Sequence, residues 1–94
     1  MSQLEQIKAH IKKVLLRYNA KRASLFGSFV RNEATEESDV DVLVEFKETI
    51  SLLKFISIKF ELEDLLKRKV DLVEYSAIKP DLRNSILSEQ IPIL

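Results

Sequence analysis

Asp39 and Asp41 stand two residues apart at the start of an apolar run that continues to Phe46. Alternate residues of a β-strand lie on one face, roughly 6.5 Å apart along the strand. Two carboxylates placed in this way repel each other unless a cation lies between them. Carboxylate oxygens suit Mg²⁺, which takes one or two carboxylates, several waters and the phosphates of a nucleotide. A solvated strand face on which the acids do no chemistry is the alternative, and the sequence leaves both open.

Gly27, the only glycine in the chain, is followed by Ser28. The residues around this pair predict a short strand that ends at Phe26, a tight turn, and a helix that begins at Phe29. Glycine lets a ligand approach the backbone closely, and the amides at a helix start can bind phosphate, with the Ser28 hydroxyl as a further donor. An ordinary turn in which Ser28 caps the helix is the alternative interpretation.

A third aspartate, Asp71, lies within the short apolar run 70–74. If this run pairs with the strand that carries the first two aspartates, Asp71 completes a cluster of three carboxylates. Such a cluster could hold two metal ions roughly 3.5–4 Å apart, as in enzymes that catalyse in-line displacement at phosphorus. Asp64 and Asp81 are predicted on helices, and Glu74 is predicted on the opposite strand face. The alternative for Asp71 is the polar face of a half-buried strand.

Hydrophobic periodicity predicts the elements that would position these residues. In chain order they are a helix capped by Ser2 that runs to about Asn19, a strand at 23–26, a short helix from Phe29, a strand at 39–46, a helix from Ser51 to about Lys67, a strand at 70–74, and a helix opened by Pro80. In the second strand, Val40, Val42 and Val44 share one face and the aspartates take the other. This order predicts an α+β (or α/β) fold with helices packed on a small sheet. Three strands leave edges that a partner chain could cover.

The composition predicts one domain, residues 1–94, because 94 residues leave no room for a second core. Lys plus Arg number 15 and Asp plus Glu number 15, so the formal charge is zero, which argues against direct nucleic-acid binding by bulk electrostatics. The absence of cysteine excludes disulfides and thiolate metal sites. We expect a cytoplasmic protein, since the sequence has neither a signal peptide nor a membrane-spanning run.

Three further groups of residues are interpreted structurally. We interpret the basic residues near the end of the first helix as a solvated face, with a surface that steers RNA or an acidic partner as the alternative. We interpret His10 as a helix-surface residue and the aromatic residues of the third helix as core. The alternative for the apolar residues of that helix and of the segment 91–94 is an interface with a partner. The residues concerned are Lys12, Lys13, Arg17, Lys21 and Arg22 in the basic group, and Phe55, Ile56 and Phe60 in the apolar group.

The spacing Gly27-Ser28-x(10)-Asp39-x-Asp41, followed by a strand aspartate at Asp71, resembles the DNA polymerase β-type nucleotidyltransferase superfamily. Within it, the chain is most similar to the minimal nucleotidyltransferases, the antitoxin halves of HEPN/MNT toxin–antitoxin pairs. The likeness extends from the first helix to about Ser88. It implies a polymerase β-type nucleotidyltransferase core.

The resemblance also implies a role for each matching residue. Gly27 and Ser28 would bind the triphosphate of ATP, and Arg31 would contact phosphate or brace the loop. Asp39, Asp41 and Asp71 would ligate Mg²⁺ (two ions), with Asp71 helping to activate the acceptor hydroxyl. Many relatives have glycine after the arginine, whereas this chain has Asn32. Asparagine tolerates a left-handed backbone, so this departure affects the expected path of the loop.

Size bears on the acceptor that the resemblance implies. Larger members carry further domains that grip the acceptor, and a chain of 94 residues can position a nucleotide and a metal but hardly a second substrate. The expected acceptor is therefore a docked protein, a HEPN ribonuclease toxin whose tyrosine receives AMP (AMPylation), in a homo- or hetero-oligomer. The alternatives are a non-catalytic antitoxin that occludes its partner, and transfer to a small-molecule acceptor.

Overall fold

The computed structural model describes residues 3–27 and 39–94 of the chain. Within these ranges the helices are α1 (Gln3–Arg17), α2 (Leu52–Leu66) and α3 (Pro80–Ser88), and the strands are β1 (Ala20–Phe26), β2 (Val40–Phe46), β3 (Val70–Glu74) and β4 (Ile91–Pro92). A 3₁₀ helix, Tyr75–Ala77, follows β3 directly. The strands form one sheet in the order β3-β2-β1-β4, in which β2 and β3 are parallel and β1 is antiparallel to β2 and β4. The predicted α+β fold, a small sheet flanked by helices, is confirmed.

One face of the sheet packs against α1 and α2 and holds the larger part of the core. Removing each large aliphatic side chain of this core from water contributes about 1.5–3 kcal/mol. Strand alternation places the even-numbered residues of β2 here, as predicted, and leaves the odd-numbered residues on the other face. The fully buried members of this core include Ile11 and Leu15 of α1, Val40, Val42 and Val44 of β2, and Ile58 and Leu62 of α2.

The other face carries a smaller apolar cluster under the 3₁₀ helix and α3. Its buried members are Leu43, Tyr75 and Ile78, and partly buried residues that include Phe26 and Ile86 pack against them. Asp71, two residues before Val73 on β3, is exposed. Within residues 3–27 and 39–94, the cover over this face is therefore incomplete where β2 and β3 begin.

The ends of α2 determine where β3 begins. Ser51 caps the helix, because its Oγ accepts a hydrogen bond from the Lys54 amide at 3.1 Å, as the sequence predicts. Lys67 ends the helix in the left-handed conformation, at φ 57°. Glu63 in the last turn accepts a hydrogen bond from the Val70 amide through Oε2, at 2.9 Å. This bond joins the end of the helix to the first residue of β3.

The prediction of three strands is wrong, because β4 pairs with the outer edge of β1. Ser24 lies opposite Pro92 and Leu25 opposite Ile91. The amides of Ile93 and Leu94 both donate to the Ala23 carbonyl, at 2.8 and 3.1 Å. A two-residue strand that contains proline has no periodicity to detect. With Ile93 buried, this segment covers a sheet edge of its own chain.

Two smaller expectations need correction, and two others concern residues outside the described ranges. β1 begins at Ala20 and not at Ala23 as predicted, so Lys21 and Arg22 are strand residues. Phe60 is 56% exposed and is not core. The predicted Ser2 cap and the helix from Phe29 lie outside the described residues. In the described part of the chain, no helix combines the length and the apolar character needed to cross a membrane.

Candidate active site

Asp41 lies at the centre of a row of three residues that crosses the sheet. Its Cα partner on β1 is Phe26, and its Cα partner on β3 is Asp71. Neighbouring strands lie about 4.8 Å apart, and directly opposed residues project from the same face. The parallel pairing of β2 with β3 therefore brings Asp41 and Asp71 next to each other, which is the arrangement the sequence required for these two aspartates to act together.

Gly27 borders Asp41 so closely that no other residue fits there without a change. Its φ is +78°, a backbone conformation that side chains disfavour. A Cβ added at this position would lie 2.2 Å from the Asp41 Oδ2 atom. The glycine therefore lets the backbone of the turn lie against the Asp41 carboxylate, so that a group bound by the turn is also close to this acid.

Asp39 precedes β2 and is exposed, as is Asp71, whereas Asp41 is half-buried. The Val40 amide donates to the Lys69 carbonyl at 2.9 Å, which ties the residue after Asp39 to the segment before β3. Two of the three aspartates are thus accessible to a hydrated ion. Their predicted role as metal ligands stays a prediction.

The donor set suits Mg²⁺ better than a metal that needs a closed cage. Among the His, Asp and Glu side chains of residues 3–27 and 39–94, no three converge closely enough to form a ready-made metal site. Mg²⁺ is usually held by one or two carboxylates, waters and substrate phosphates. A carboxylate against a glycine turn, with accessible acids beside it, fits that requirement when a nucleotide supplies the remaining oxygens. Ser28 and Arg31, the other predicted nucleotide ligands, lie outside the described residues.

A cavity of about 280 Å³ lies directly beside the glycine turn. Phe26 and Gly27 line it from the sheet, and Ser85, Ile86 and Glu89 line it from the C-terminal part of the chain. No local pattern in the sequence indicates this cavity, because its lining residues come from the end of β1 and from the segment 85–89, which lie far apart in the chain.

The same face of the sheet is braced by a polar network around Tyr75. The Tyr75 hydroxyl lies 2.9 Å from Ser24 Oγ and 3.1 Å from Gln90 Oε1. The Arg22 guanidinium lies 3.9 Å from the centre of the Tyr75 ring, and its Nε donates to Glu45 Oε1 at 2.9 Å. Arg22 therefore contacts two neighbours in the sheet, while its side chain, 49% exposed, remains on a solvated face as predicted.

Larger hollows lie away from the aspartates. One of about 320 Å³ is lined by Glu45, Lys47 and Glu74 at the opposite ends of β2 and β3. Another of about 540 Å³ lies between α1 and α2, where its lining includes His10 and Asp64. Neither contains any residue of the row across the sheet, so volume alone does not identify the site.

Comparison with known proteins gives consistent matches over nearly the whole chain. Residues 9–94 match the family described as polymerase beta, nucleotidyltransferase. The protein adenylyltransferase MntA of Thermococcus cleftensis is 44% identical over 95 residues, which cover 97% of this chain and 96% of that protein. A candidate protein adenylyltransferase of Methanocaldococcus jannaschii is 46% identical over 91 residues, covering 97% and 98%. The similarity is therefore not restricted to the glycine turn and the aspartates.

Solved structures share the fold. A candidate minimal nucleotidyltransferase is 41% identical with a TM-score of 0.80, and the match covers 97% of this chain and 96% of that chain. A toxin–antitoxin structure with AMP-PNP has a TM-score of 0.82 at 21% identity, covering 93% and 72%. A tri-AMPylated Shewanella oneidensis HEPN toxin in complex with an MNT antitoxin has a TM-score of 0.76 at 20% identity, covering 96% and 71%. The last two show likeness of fold alone.

Proposed function

This chain belongs to the polymerase β nucleotidyltransferase family and is a nucleotidyltransferase, and from that premise we propose that it is a protein adenylyltransferase antitoxin. It transfers AMP from ATP, with Mg²⁺, to a tyrosine of a HEPN ribonuclease toxin in the cytoplasm. The observation that carries the proposal is the contact between Gly27 and the Asp41 carboxylate, in a row with Asp71. This contact would bring a phosphate-binding turn and an acid to the same point.

The proposed roles of Gly27, Asp41 and Asp71 agree with their places in the fold, and those of Ser28 and Arg31 rest on the resemblance to the family alone. The turn at Gly27 binds the triphosphate together with Ser28 and Arg31. Asp39 and Asp41 hold Mg²⁺, and Asp71 serves as a third carboxylate on the side of the row away from the turn. When bound, Mg²⁺ supplies positive charge that offsets the charge of the phosphates, a contribution of several kcal/mol to the transition state.

The transfer is a displacement at the α-phosphorus of ATP. The acceptor hydroxyl oxygen forms a bond to this phosphorus, and the bond from phosphorus to the bridging oxygen of the β-phosphate breaks. Pyrophosphate leaves with that electron pair, and the hydroxyl proton passes to the Asp71 carboxylate. Asp71 is exposed, so an acceptor side chain from a docked protein has access to it.

The names and the complexes of the similar proteins support a HEPN toxin as the acceptor protein. Relatives 44–46% identical over nearly the full chain bear the name protein adenylyltransferase, in one case as a candidate. One fold neighbour is an MNT antitoxin in complex with an AMPylated HEPN toxin. Addition of AMP near a ribonuclease site would block it by bulk and negative charge.

The test is transfer of label from α-³²P-ATP to the co-encoded toxin in the presence of Mg²⁺. We expect the wild-type chain to label the toxin and the double variant Asp39→Asn with Asp41→Asn to leave it unlabelled. Asp81→Asn is the matched control, since Asp81 is an exposed acid in the first turn of α3, and it should label the toxin at the wild-type rate. Equal labelling by the double variant would contradict the proposal. Mass spectrometry identifies the modified residue, which we expect to be tyrosine.

Stoichiometry distinguishes this function from neutralisation by occlusion. A catalyst neutralises a molar excess of toxin when ATP is present and leaves it inactive after the antitoxin is removed. An occluding antitoxin neutralises only one equivalent, and the double variant would do so equally well. Neutralisation of one equivalent without ATP, together with an unmodified toxin, would therefore replace the proposed function with occlusion.

A further inference from the structure

β3 is an outer strand of the sheet in the part of the chain that the structure describes. In its parallel pairing with β2, the Val40 amide donates to the Lys69 carbonyl. Successive residues of a strand direct their backbone groups to opposite sides. The amides of Leu72 and Glu74 and the Leu72 carbonyl therefore point away from β2, to the outer edge.

The Val70 amide confirms this direction, and the composition of the two outer strands distinguishes them. Val70 donates outward, to Glu63 Oε2 of α2 at 2.9 Å. β4, the other outer strand among the described residues, contains Pro92, which has no amide hydrogen to donate. β3 contains no proline. A further strand can therefore pair with the β3 edge, through Leu72 and the residues after it.

A groove of about 400 Å³ follows this edge on the side of α2. Apolar side chains supply most of its lining, among them Leu52 and Phe55 of α2 and Leu72 of β3. Leu52 is 72% exposed, so this large apolar side chain has no cover within the described ranges. A strand added to β3 would direct every second side chain towards the groove, as in other proteins that bind extended peptides at a sheet edge.

The chemistry of the proposed transfer requires the acceptor on this side of the site. In an in-line displacement, the attacking and leaving oxygens lie on opposite sides of phosphorus. In the proposed function the leaving pyrophosphate is held by the turn at Gly27, at the end of β1. The acceptor must then approach from the opposite direction, beyond Asp41 and Asp71 in the row across the sheet. That direction leads to the outer edge of β3.

An added strand would extend the row across the sheet by one residue. If it runs antiparallel to β3, the residue opposite Leu72 exchanges two backbone hydrogen bonds with it. The residue opposite Asp71 then forms a pair without such bonds, in which the Cα atoms lie only about 4.5 Å apart. A tyrosine at this position has its side chain on the same face as the Asp71 carboxylate, and its neighbours in sequence face the groove.

We propose that the acceptor segment of the modified protein binds as an extended strand along β3. Its tyrosine lies beside Asp71, and an apolar residue next to this tyrosine occupies the groove. The inference rests on the proposed transfer of AMP to a tyrosine and adds how the acceptor protein is recognised. Backbone bonds to Leu72 and Glu74 supply affinity, and the groove supplies selectivity for the neighbouring residue.

Two variants block this surface without touching the aspartates. Glu74→Pro removes one outward amide and leaves the bonds to β2, because Glu74 has φ −77°, close to the value of about −65° that proline requires. Glu74→Ala is its matched control, since it removes the same side chain and keeps the amide. Leu52→Glu places a charge in the groove. Leu53→Glu is its control, because Leu53 is 79% exposed beside it and does not line the groove.

The measurements separate docking of the acceptor from the chemical step. Steady-state transfer of label from α-³²P-ATP to the co-encoded toxin gives kcat and the KM for the toxin, and calorimetry gives the affinity for ATP with Mg²⁺. Hydrogen exchange of the Leu72 amide is followed with and without a toxin in which phenylalanine replaces the modified tyrosine, so that no transfer occurs. Thermal melting establishes that all variants are folded.

We expect Glu74→Pro and Leu52→Glu each to raise the KM for the toxin at least tenfold. Both should leave kcat within threefold and ATP affinity within twofold of wild type. Glu74→Ala and Leu53→Glu should stay within twofold of wild type in all three quantities. The toxin should slow exchange of the Leu72 amide at least tenfold.

Three results would overturn the inference. An unchanged KM in both blocking variants would show that the acceptor approaches by another surface. Unchanged exchange of the Leu72 amide in the complex would show docking without an added strand. A wild-type dimer in sedimentation that Glu74→Pro dissociates would show that a second copy of the chain occupies the edge. All three leave the proposed function intact, since wild type still labels the toxin. Failure of wild type to label the toxin would remove the proposed function, and this inference with it.

Discussion

The two faces of the sheet differ in what they bury. The face under α1 and α2 packs an aliphatic core in which Ile11, Leu62 and their neighbours are fully removed from water. The opposite face has a small cluster around Leu43 and Tyr75, and it leaves Asp71 exposed. Both faces belong to the same strands, and β2 contributes valines to one and Asp41 to the other. The free energy of folding therefore comes mainly from one side, which leaves the other side available for polar chemistry.

This difference explains how a small domain can keep an open site. A chain of 94 residues has a stability of only about 5–10 kcal/mol. Acids clustered on a sheet face repel one another and lower the stability of the fold. Apolar packing elsewhere in the domain must therefore offset this cost. Substitutions on the two faces should thus separate activity from stability.

The largest expected effect is the loss of transfer activity in Asp41→Asn. Removing this carboxylate takes away a proposed metal ligand, and a loss of about 4 kcal/mol in transition-state stabilisation corresponds to roughly a 10³-fold lower rate. The melting temperature should change much less than in a core variant, because the half-buried acid is not part of the aliphatic core. Asp64→Asn on α2 is the control and should keep full activity. Both properties are measured on purified protein, and an active Asp41→Asn would contradict the assignment.

Leu62→Ala should have the opposite pattern. Leu62 is fully buried on α2, and large-to-small changes at such positions cost about 2–5 kcal/mol of unfolding free energy. The folded fraction should transfer AMP at the wild-type rate. Urea denaturation and kinetics at low temperature measure the two quantities. Leu53→Ala is the control, since Leu53 is 79% exposed and should shift stability by less than about 0.5 kcal/mol. A large loss of specific activity in folded Leu62→Ala would mean that the faces are not separable.

Gly27→Ala should affect both properties to an intermediate degree. The left-handed backbone at φ +78° costs an alanine about 1–3 kcal/mol, and the added Cβ must displace the Asp41 carboxylate. We expect a loss of activity of about tenfold to a hundredfold. Asn19→Ala is the matched control, because Asn19 also has a positive φ, 61°, but lies at the other end of β1. It should lose stability without losing specific activity in the transfer assay.

Tyr75→Phe should have the smallest effect of the four. It removes a hydroxyl that bonds the buried Ser24 and also Gln90, which costs about 1 kcal/mol. The amides of Ile93 and Leu94, which hold β4 to Ala23, should exchange hydrogen faster. Tyr18→Phe, which removes a hydroxyl bonded to Glu61 near the other face, should not change the exchange of these amides. Unchanged exchange in Tyr75→Phe would separate the tyrosine from the β4 pairing.

The parts of the site that follow from alternation could be predicted from the sequence. The period of two in β2 places Val40, Val42 and Val44 on the other face of the strand from Asp41, whichever strands lie beside β2. The sequence predicts that Asp41 and Asp71 are neighbours only if β3 pairs with β2. That pairing must also be parallel and in the right register. The structure supplies that register.

The parts that depend on distant contacts could not be predicted. Close approach of a ligand to Gly27 stays a prediction, and the contact of this glycine with the Asp41 carboxylate is one that no local pattern indicates. The cavity beside Gly27 is lined by Phe26 and Ser85, which lie far apart in the sequence. β4 forms only because the edge of β1 offers partners to two residues. No local sequence pattern indicates any of these three features.

The burial of alternate valines in β2 has a practical consequence for every assay named above. A shift of β2 by one residue would bring Asp41 into the aliphatic interior and move three valines to the less completely covered face of the sheet. An unpaired carboxylate there would cost several kcal/mol, which is a large part of the domain's free energy of unfolding. A misaligned yet folded form is therefore not an accessible species. A preparation that melts in one cooperative step therefore has β2 in the correct register, with Asp41 on the site face. A folded but inactive variant is then defective in the site and not in strand pairing.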